Sequence, residues 1–279
     1  MRSLLVVGAV LLGGAAAATS AAAQSMPWDG YVSVGGGNAW YSDPYGGYGN
    51  WLAQGRGTAE FKLSGNLGAQ FDTVGTYQSL GEDIPALNFT SIDLAAHAFY
   101  RQPGQWLFGP IFQYRLASRS NADSSFNSPQ YFAGAEAQGY VGMFSLYGQL
   151  AYQSTDNVNA ARSGWIGRVR ARYFFTHDWF VEGNYQHSVL TGQEAYLAST
   201  EDIFGLATEY HLPTTPFGVF AQYSYTHMQF GFSNANYQVS RVLLGLKWNF
   251  GGHSLWDRET GGASLDPFQP PYQPTLPPG

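Results

Sequence analysis

Residues 237–250 (YQVSRVLLGLKWNF) alternate between apolar and polar side chains with a period of two. This alternation predicts a β-strand, because successive side chains of a strand point to opposite faces of its sheet. One face carries two cations, Arg241 and Lys247. The other face is wholly apolar and ends in aromatic residues: Val242, Leu244, Leu246, Trp248 and Phe250. Such a strand suits a wall between hydrocarbon and water, and only a closed set of strands can complete that wall.

Eleven further segments with the same alternation precede this one, between residues 31 and 227. Each is about ten residues long, the length that a tilted strand needs to cross a membrane. Their connectors alternate between short ones, of roughly two to four residues, and long ones, of roughly eight to twelve, as in outer-membrane barrels. The sequence therefore predicts an all-β fold: a transmembrane antiparallel up-and-down β-barrel of about twelve strands, with short periplasmic turns and longer extracellular loops.

Charged residues make up only 11 % of the chain, and within the predicted strands they fall on one face. The charges themselves help to assign which face of each strand points inward. The informative observation is therefore that no strand needs a charge on both of its faces. An Arg or Lys on the lipid face at mid-depth costs about 2–4 kcal/mol, which explains the exclusion. Aromatic residues at 16 % and 35 glycines also suit a lipid-facing sheet with tight turns.

The two ends of the chain differ from the predicted barrel. Residues 1–23 have Arg2, an apolar run and a closing Ala21-Ala22-Ala23, the pattern of a secretory signal peptide. A retained anchor helix is the alternative, but the second half of this segment is Ala and Gly rather than Leu and Ile. Residues 24–250 form the predicted barrel. Residues 251–279 contain six of the 14 prolines and predict a largely disordered, Pro-rich periplasmic tail.

The signal peptide, the twelve strands and the closing LLGLKWNF resemble the porin-like outer-membrane β-barrel proteins of Gram-negative bacteria. The likeness covers nearly the whole mature chain. One feature departs from that family, because the terminal aromatic residue, Phe250, is followed by the Pro-rich segment. The resemblance implies a location in the bacterial outer membrane, contact with its lipid and lipopolysaccharide, and insertion by the outer-membrane assembly machinery.

The polar faces of the strands predict a basic lumen. Arg168, Arg170 and Arg172 share one strand face as inward neighbours about 6.8 Å apart, and we call them the arginine stripe. The predicted function is a porin-like channel for passive diffusion of small hydrophilic solutes, with a preference for anions as the finer hypothesis. The predicted lumen and selectivity residues are Arg168, Arg170, Arg172, Arg56, Arg115, Arg241, Lys247, Glu136, Glu182, Glu209 and Asp93.

Two alternatives remain open. In the first, Glu136, Glu182 and Glu209 neutralise the arginine stripe and close the lumen, leaving a structural or anchoring barrel. A periplasmic partner would then bind the tail through Trp256, Phe268 and Tyr272. In the second, disfavoured for lack of a serine motif, the outward histidines His187 and His227 belong to a lipid-acting hydrolase.

Nucleic-acid binding and metal-dependent function are excluded more directly. The net charge of −6 argues against nucleic acid as a partner. The chain has no cysteine, and its six histidines show no metal-ligand spacing, so no metal or other cofactor is predicted. His97 and His211 are assigned inward, in hydrogen bonds beside Asp93 and Glu209.

Overall fold

The structure, a computed structural model, describes residues 28–43, 46–80, 87–120, 125–155, 162–192, 198–230, 233–251, 254–262 and 264–269. Twelve strands form one closed barrel in these residues. The strands are β1 (Trp28–Asp43), β2 (Gly46–Ser64), β3 (Leu67–Leu80), β4 (Leu87–Gln102), β5 (Trp106–Ser120), β6 (Ser125–Val141), β7 (Phe144–Thr155), β8 (Arg162–Thr176), β9 (Trp179–Gly192), β10 (Ser199–His211), β11 (Phe217–Phe230) and β12 (Ser233–Phe250). A helix, α1 (Leu255–Gly261), follows the last strand.

Each strand pairs antiparallel with its neighbours in sequence, and β1 pairs with β12 to close the barrel. The prediction of an all-β antiparallel barrel with twelve strands is confirmed. Several strands extend beyond their predicted ends on the side of the long loops; β9, for example, continues past residue 187 to Gly192. Ladder hydrogen bonds join backbone groups, so a pair of strands can continue where the side-chain alternation has faded.

The two faces of the barrel have opposite character. Along β7, exposed and buried residues alternate from end to end. Its exposed face carries Leu146 and Leu150, whereas Gln149 and Gln153 are buried inside. A continuous apolar exterior of this kind matches the hydrocarbon layer of a membrane. In the described part of the chain, no helix is both long and apolar enough to span a bilayer.

The glycine run of β1 has a packing role that its sequence does not reveal. From the sequence, successive glycines are expected only to weaken this strand. A Cβ at Gly37 would lie 1.8 Å from the carbonyl oxygen of Val242 on β12, a distance that no side chain tolerates. At the neighbouring Gly36 the nearest atom is 3.8 Å away. Gly37 therefore lets β12 approach β1 closely along the seam that closes the barrel.

Residues 254–262 and 264–269 lie inside the barrel rather than in the periplasm. Helix α1 begins after Ser254, whose hydroxyl accepts a hydrogen bond from the Asp257 amide at 3.1 Å. At the turn end of the barrel, the Trp256 amide donates to the carbonyl of His177 at 2.9 Å. Residues 264–269 then continue into the lumen, where Leu265 and Phe268 are almost fully buried.

This arrangement corrects the predicted tail for the residues that the structure describes. Helix α1 and residues 264–269 are ordered because their apolar and acidic side chains find matching partners in the lumen. We call residues 254–262 and 264–269 together the lumenal segment. The predicted signal peptide and residues 270–279, including Tyr272, lie outside the described residues.

Candidate functional site

The centre of the site is Asp266 of the lumenal segment, which lies among three arginines of the barrel wall. Arg56 donates a hydrogen bond to its Oδ1 at 2.6 Å. Arg170 pairs with its Oδ2, and Arg172 approaches the same oxygen at 3.4 Å. These arginines come from β2 and β8, on opposite sides of the lumenal segment. A single carboxylate therefore ties the lumenal segment to two parts of the wall.

The surroundings of Asp266 also determine its ionisation. Asp266 lies outside the membrane-spanning strands. Burial would raise its pKa, but the charges of Arg170, Arg56 and Arg172 together lower the pKa well below its usual range. The carboxylate is therefore ionised at neutral pH while the lumenal segment is in place.

Glu259 of helix α1 forms a second acidic contact with the arginine stripe. Arg172 donates to its Oε2 at 2.5 Å, and Arg170 lies 3.3 Å from its Oε1. On the opposite side, Gln138 and Ser145 donate to Oε1 at 2.6 and 2.5 Å. The carboxylate is almost completely buried and each of its oxygens accepts a hydrogen bond, as a buried charge requires.

Apolar contacts hold the same segment between the charged groups. Phe268 packs in a cluster with Ile111, Phe132, Ala151 and Ile166 of the wall. Its ring stacks on that of Phe132, with centroids 6.1 Å apart.

Two similar clusters hold the rest of the lumenal segment. Leu265 lies against Phe99, Leu107 and Tyr147. Leu255 of helix α1 packs with Phe174 and Phe180 near the turn end. The lumen thus contains a small hydrophobic core of its own.

The lumenal segment does not fill the whole interior. A cavity of about 230 Å³ remains beside it. Asp266, Pro267, Phe268 and Gln269 line one side of this cavity. The barrel wall lines the rest, and its charged side chains there are Arg56, Asp93, Arg115, Arg168, Arg172, Glu182, Glu201, Glu209, Arg241 and Lys247. The cavity is therefore polar and rich in guanidinium groups.

Comparison with solved structures identifies the architecture. The translocator domain of the autotransporter NalP from Neisseria meningitidis superposes with a TM-score of 0.53 at 13 % identity, over 89 % of this chain and 97 % of that one. An outer-membrane channel from Pseudomonas putida F1 gives a TM-score of 0.59 at 11 % identity, over 81 % of this chain and 97 % of that one. The β domain of a Bordetella autotransporter gives a TM-score of 0.51 at 10 % identity, over 81 % of this chain and 100 % of that one.

The chain has the fold of a bacterial outer-membrane β-barrel. At these identities the likeness establishes the fold alone, and the apolar exterior places the barrel in the outer membrane. No family model matches the sequence, and the comparison with curated proteins gives no significant match.

The predicted lumenal residues of this barrel all face inward, but they form several separate groups. Of the three glutamates expected to neutralise the arginine stripe, only Glu182 does so, at 2.7 Å from Arg172 and 3.8 Å from Arg170. Glu136 instead contacts His97 at 2.8 Å. Glu209 pairs with Lys247 of β12.

The remaining predicted residues lie nearer the cavity. Arg115 is 3.9 Å from Asp93, and both line the cavity together with Arg241. Arg168 donates to the carbonyl of Pro267 at 3.0 Å, so the arginine stripe contacts the lumenal segment at all three of its members.

The histidines occupy positions that differ in part from the expectation. His97 is inward and buried, but it lies between Glu136 and Asp72, 3.2 Å from the latter, rather than beside Asp93. His211 contacts Asp178 at 3.1 Å instead of Glu209.

Among the residues that the structure describes, the outward histidines contact partners other than serine. His187 contacts Asp202 at 2.8 Å, and Tyr185 donates to the same carboxylate at 2.6 Å. Gln229 lies 3.3 Å from His227. Across the described residues, no serine hydroxyl bonds to either outward histidine. In that same part of the chain, no three potential metal ligands lie together.

Sequence reasoning missed the acidic residues of the lumenal segment as part of the site. Trp256 and Phe268, predicted as handles for a periplasmic partner, pack against the inside of the barrel instead. One signal was present: the predicted inward face carries more cations than carboxylates, and a buried charge requires a partner. Glu259 and Asp266 supply such partners.

Proposed function

We propose that this protein is an outer-membrane channel for small hydrophilic solutes and that its own lumenal segment closes it. The supporting observation is a polar lumen occupied by a segment that forms no part of the β-sheet. Side-chain contacts hold residues 264–269, so they could leave without breaking a ladder hydrogen bond of the barrel. One structural neighbour, the protein from Pseudomonas putida F1, is itself an outer-membrane channel, which agrees with this proposal.

The charges of the site support a preference for anions once the lumenal segment has moved. Glu259 and Asp266 bring two carboxylates to Arg56, Arg170 and Arg172. Removal of those carboxylates would leave Glu182 as the nearest counter-charge of Arg170 and Arg172. Rings of cationic side chains in a pore favour anions. The closed state would therefore hold its selectivity residues in a neutralised form.

Single-channel recording in planar bilayers tests the proposal with the full mature chain. The wild type is compared with a double variant, Asp266→Asn with Glu259→Gln, which weakens both acidic contacts. We expect few openings from the wild type and frequent openings from the double variant. Reversal potentials in asymmetric KCl should show anion preference, and adding Arg168→Gln, Arg170→Gln and Arg172→Gln should reduce it. Asp257→Asn is the matched control, since Asp257 is an exposed acid on helix α1, which also carries Glu259.

A closed structural barrel is the second candidate, and the packing of the lumen favours it. Phe268 and Leu265 fill space that an open pore would need for water. The two candidates differ in one result. A cysteine introduced at Leu265 can report by thiol labelling whether the lumenal segment has left the lumen. If it has left and the membrane still carries no current, the channel proposal is wrong and the structural role stands.

A further inference from the structure

Three glutamines of the barrel wall bind the main chain of the lumenal segment in the same way. The amide nitrogen of Gln70 donates to the Leu265 carbonyl at 2.8 Å, and its oxygen accepts from the Leu265 N–H at 3.1 Å. Gln113 makes the same pair of bonds with Phe268, at 3.2 and 2.8 Å. Gln186 repeats the pattern with Gln269, at 2.5 and 3.1 Å.

This pairing recognises a peptide group rather than a particular side chain. A glutamine amide offers one acceptor and two donors, so it can satisfy the N–H and the C=O of one residue together. Each such pair replaces the hydrogen bonds that a neighbouring strand would give. Any residue except proline, which lacks the N–H, can occupy these positions. The glutamines come from β3, β5 and β9 and thus surround the segment.

Two side chains of the lumenal segment add specificity to these main-chain contacts. Asp266 lies among the guanidinium groups of Arg56 and Arg170. Phe268, two residues later, enters the apolar cluster that contains Phe132 and Ile166. A carboxylate followed after one residue by an aromatic ring therefore sets the register of an extended chain in the lumen.

The wall contains further amides of the same kind that none of the described residues satisfies. Gln130 and Gln153 are completely buried. They lie on β6 and β7, in register with Thr155 and with Phe132 respectively, so they are next to the Phe268 cluster. Within the described ranges, neither the amide nitrogen nor the amide oxygen of either glutamine has a hydrogen-bond partner. Buried amides without partners are costly, so a ligand main chain that reached these two glutamines would gain the same pair of hydrogen bonds at each.

From these contacts we infer that the lumen is a binding site for extended polypeptide. The ligand enters at the periplasmic end, and the barrel recognises it mainly through hydrogen bonds to its main chain. It carries an acidic residue followed after one position by an aromatic residue. The lumenal segment is the resident occupant of this site. Another chain with the same two side chains in the same spacing can take its place. This inference does not depend on whether the barrel conducts solutes.

A peptide-exchange experiment on the folded barrel tests this inference. A protease site is inserted after Gly251, the full chain is folded first, and cleavage then leaves the segment bound without a covalent link. Heat-modifiable gel migration verifies that the cut barrel is intact. Fluorescent peptides of residues 254–279 then compete for the lumen, and their dissociation constants are measured by anisotropy.

Main-chain methylation separates recognition of the backbone from recognition of side chains. A peptide N-methylated at residues 265, 268 and 269 loses three N–H donors, and we expect it to bind about 100-fold more weakly. A peptide methylated at Asp266 is the matched control, since the hydrogen bonds that Asp266 makes to described residues involve its carboxylate and its carbonyl. It should bind within about threefold of the parent.

Two further comparisons complete the test. A peptide of unrelated sequence that keeps only the Asp and Phe at positions 266 and 268 should bind within about tenfold of the parent. Gln113→Met in the barrel should weaken every peptide by about tenfold, whereas Gln222→Met, at an inward residue of the cavity wall, should change none. Equal binding of the methylated and parent peptides would overturn the inference. Failure of the unrelated peptide to bind would overturn it as well.

Discussion

Replacing Asp266 with Asn should release the lumenal segment from the barrel. The carboxylate contacts Arg56 at 2.6 Å, Arg172 at 3.4 Å and, most closely, Arg170. Removing one partner from a buried ion pair costs about 3–5 kcal/mol, because the other charge is left buried. Arg170 keeps Glu259 at 3.3 Å, so we expect a cost near the lower limit, about 3 kcal/mol. That cost raises the undocked fraction by about 100-fold or more.

The absence of cysteine in this chain gives a direct assay. A single Leu265→Cys change puts a thiol at a position that is 1 % exposed when the lumenal segment is docked. If docking and undocking are fast relative to labelling, the rate of modification by a water-soluble maleimide reports the undocked fraction. Leu265→Cys weakens packing equally in both backgrounds, so the ratio of rates isolates the effect of Asp266→Asn.

The expected ratio of labelling rates is about 100, and Asp257→Asn should leave the rate within about twofold of its background. Asp257 is exposed and lies in the same lumenal segment, on helix α1, so it controls for a general effect of lost negative charge. Equal labelling rates with and without Asp266→Asn would show that the arginine contacts do not hold the lumenal segment. The packing of Phe268 would then be the main source of docking energy.

Three other changes test separate parts of the structure. Because docking lowers the pKa of Asp266, its ion pairs contribute fully above about pH 4–5 and are lost as pH falls through the lower docked value. The 19F NMR signal of 4-fluorophenylalanine at position 268 should therefore be unchanged between pH 8 and 5, and a change within that range would contradict the assignment. Phe268→Ala should raise labelling of the Leu265→Cys thiol by about 100-fold through loss of apolar packing, with Phe268→Leu much milder. Gly37→Ala should abolish the heat-modifiable form on gels, whereas Gly36→Ala should retain it; equal behaviour would refute the role of Gly37 in barrel closure.

Much of the barrel could be predicted from local pattern. Residues 237–250 already showed an apolar face and a cationic face, and the structure places Leu244 and Leu246 outside and Arg241 and Lys247 inside. The period of two is a property of every strand, so it needs no knowledge of neighbours. The strand ends were less predictable, because backbone pairing at the rim continues without a side-chain pattern.

The site was predicted only in part. Arg168, Arg170 and Arg172 were recognised as a stripe because their spacing is local. Their partners could not be found in that way, since Asp266 lies 96 residues after Arg170 and reaches it only through the closed lumen. The high proline content of the C-terminal segment suggested a chain with no structure of its own. That prediction reflected only the local preference of the segment and took no account of the barrel wall that surrounds the described part of it.

The sequence by itself determined the number of strands, their inward and outward faces and the membrane as their environment. Each of these properties follows from side chains that alternate along one strand and from the cost of a charge in lipid. Only the tertiary structure decided that the lumenal segment, residues 254–262 and 264–269, occupies the lumen. Closing the barrel brings Arg56 of β2 and Arg170 of β8 to one carboxylate, and it brings Gln70, Gln113 and Gln186 to one main chain. No local pattern contains those contacts, because they join strands of the barrel wall to a C-terminal segment that is distant from them in sequence.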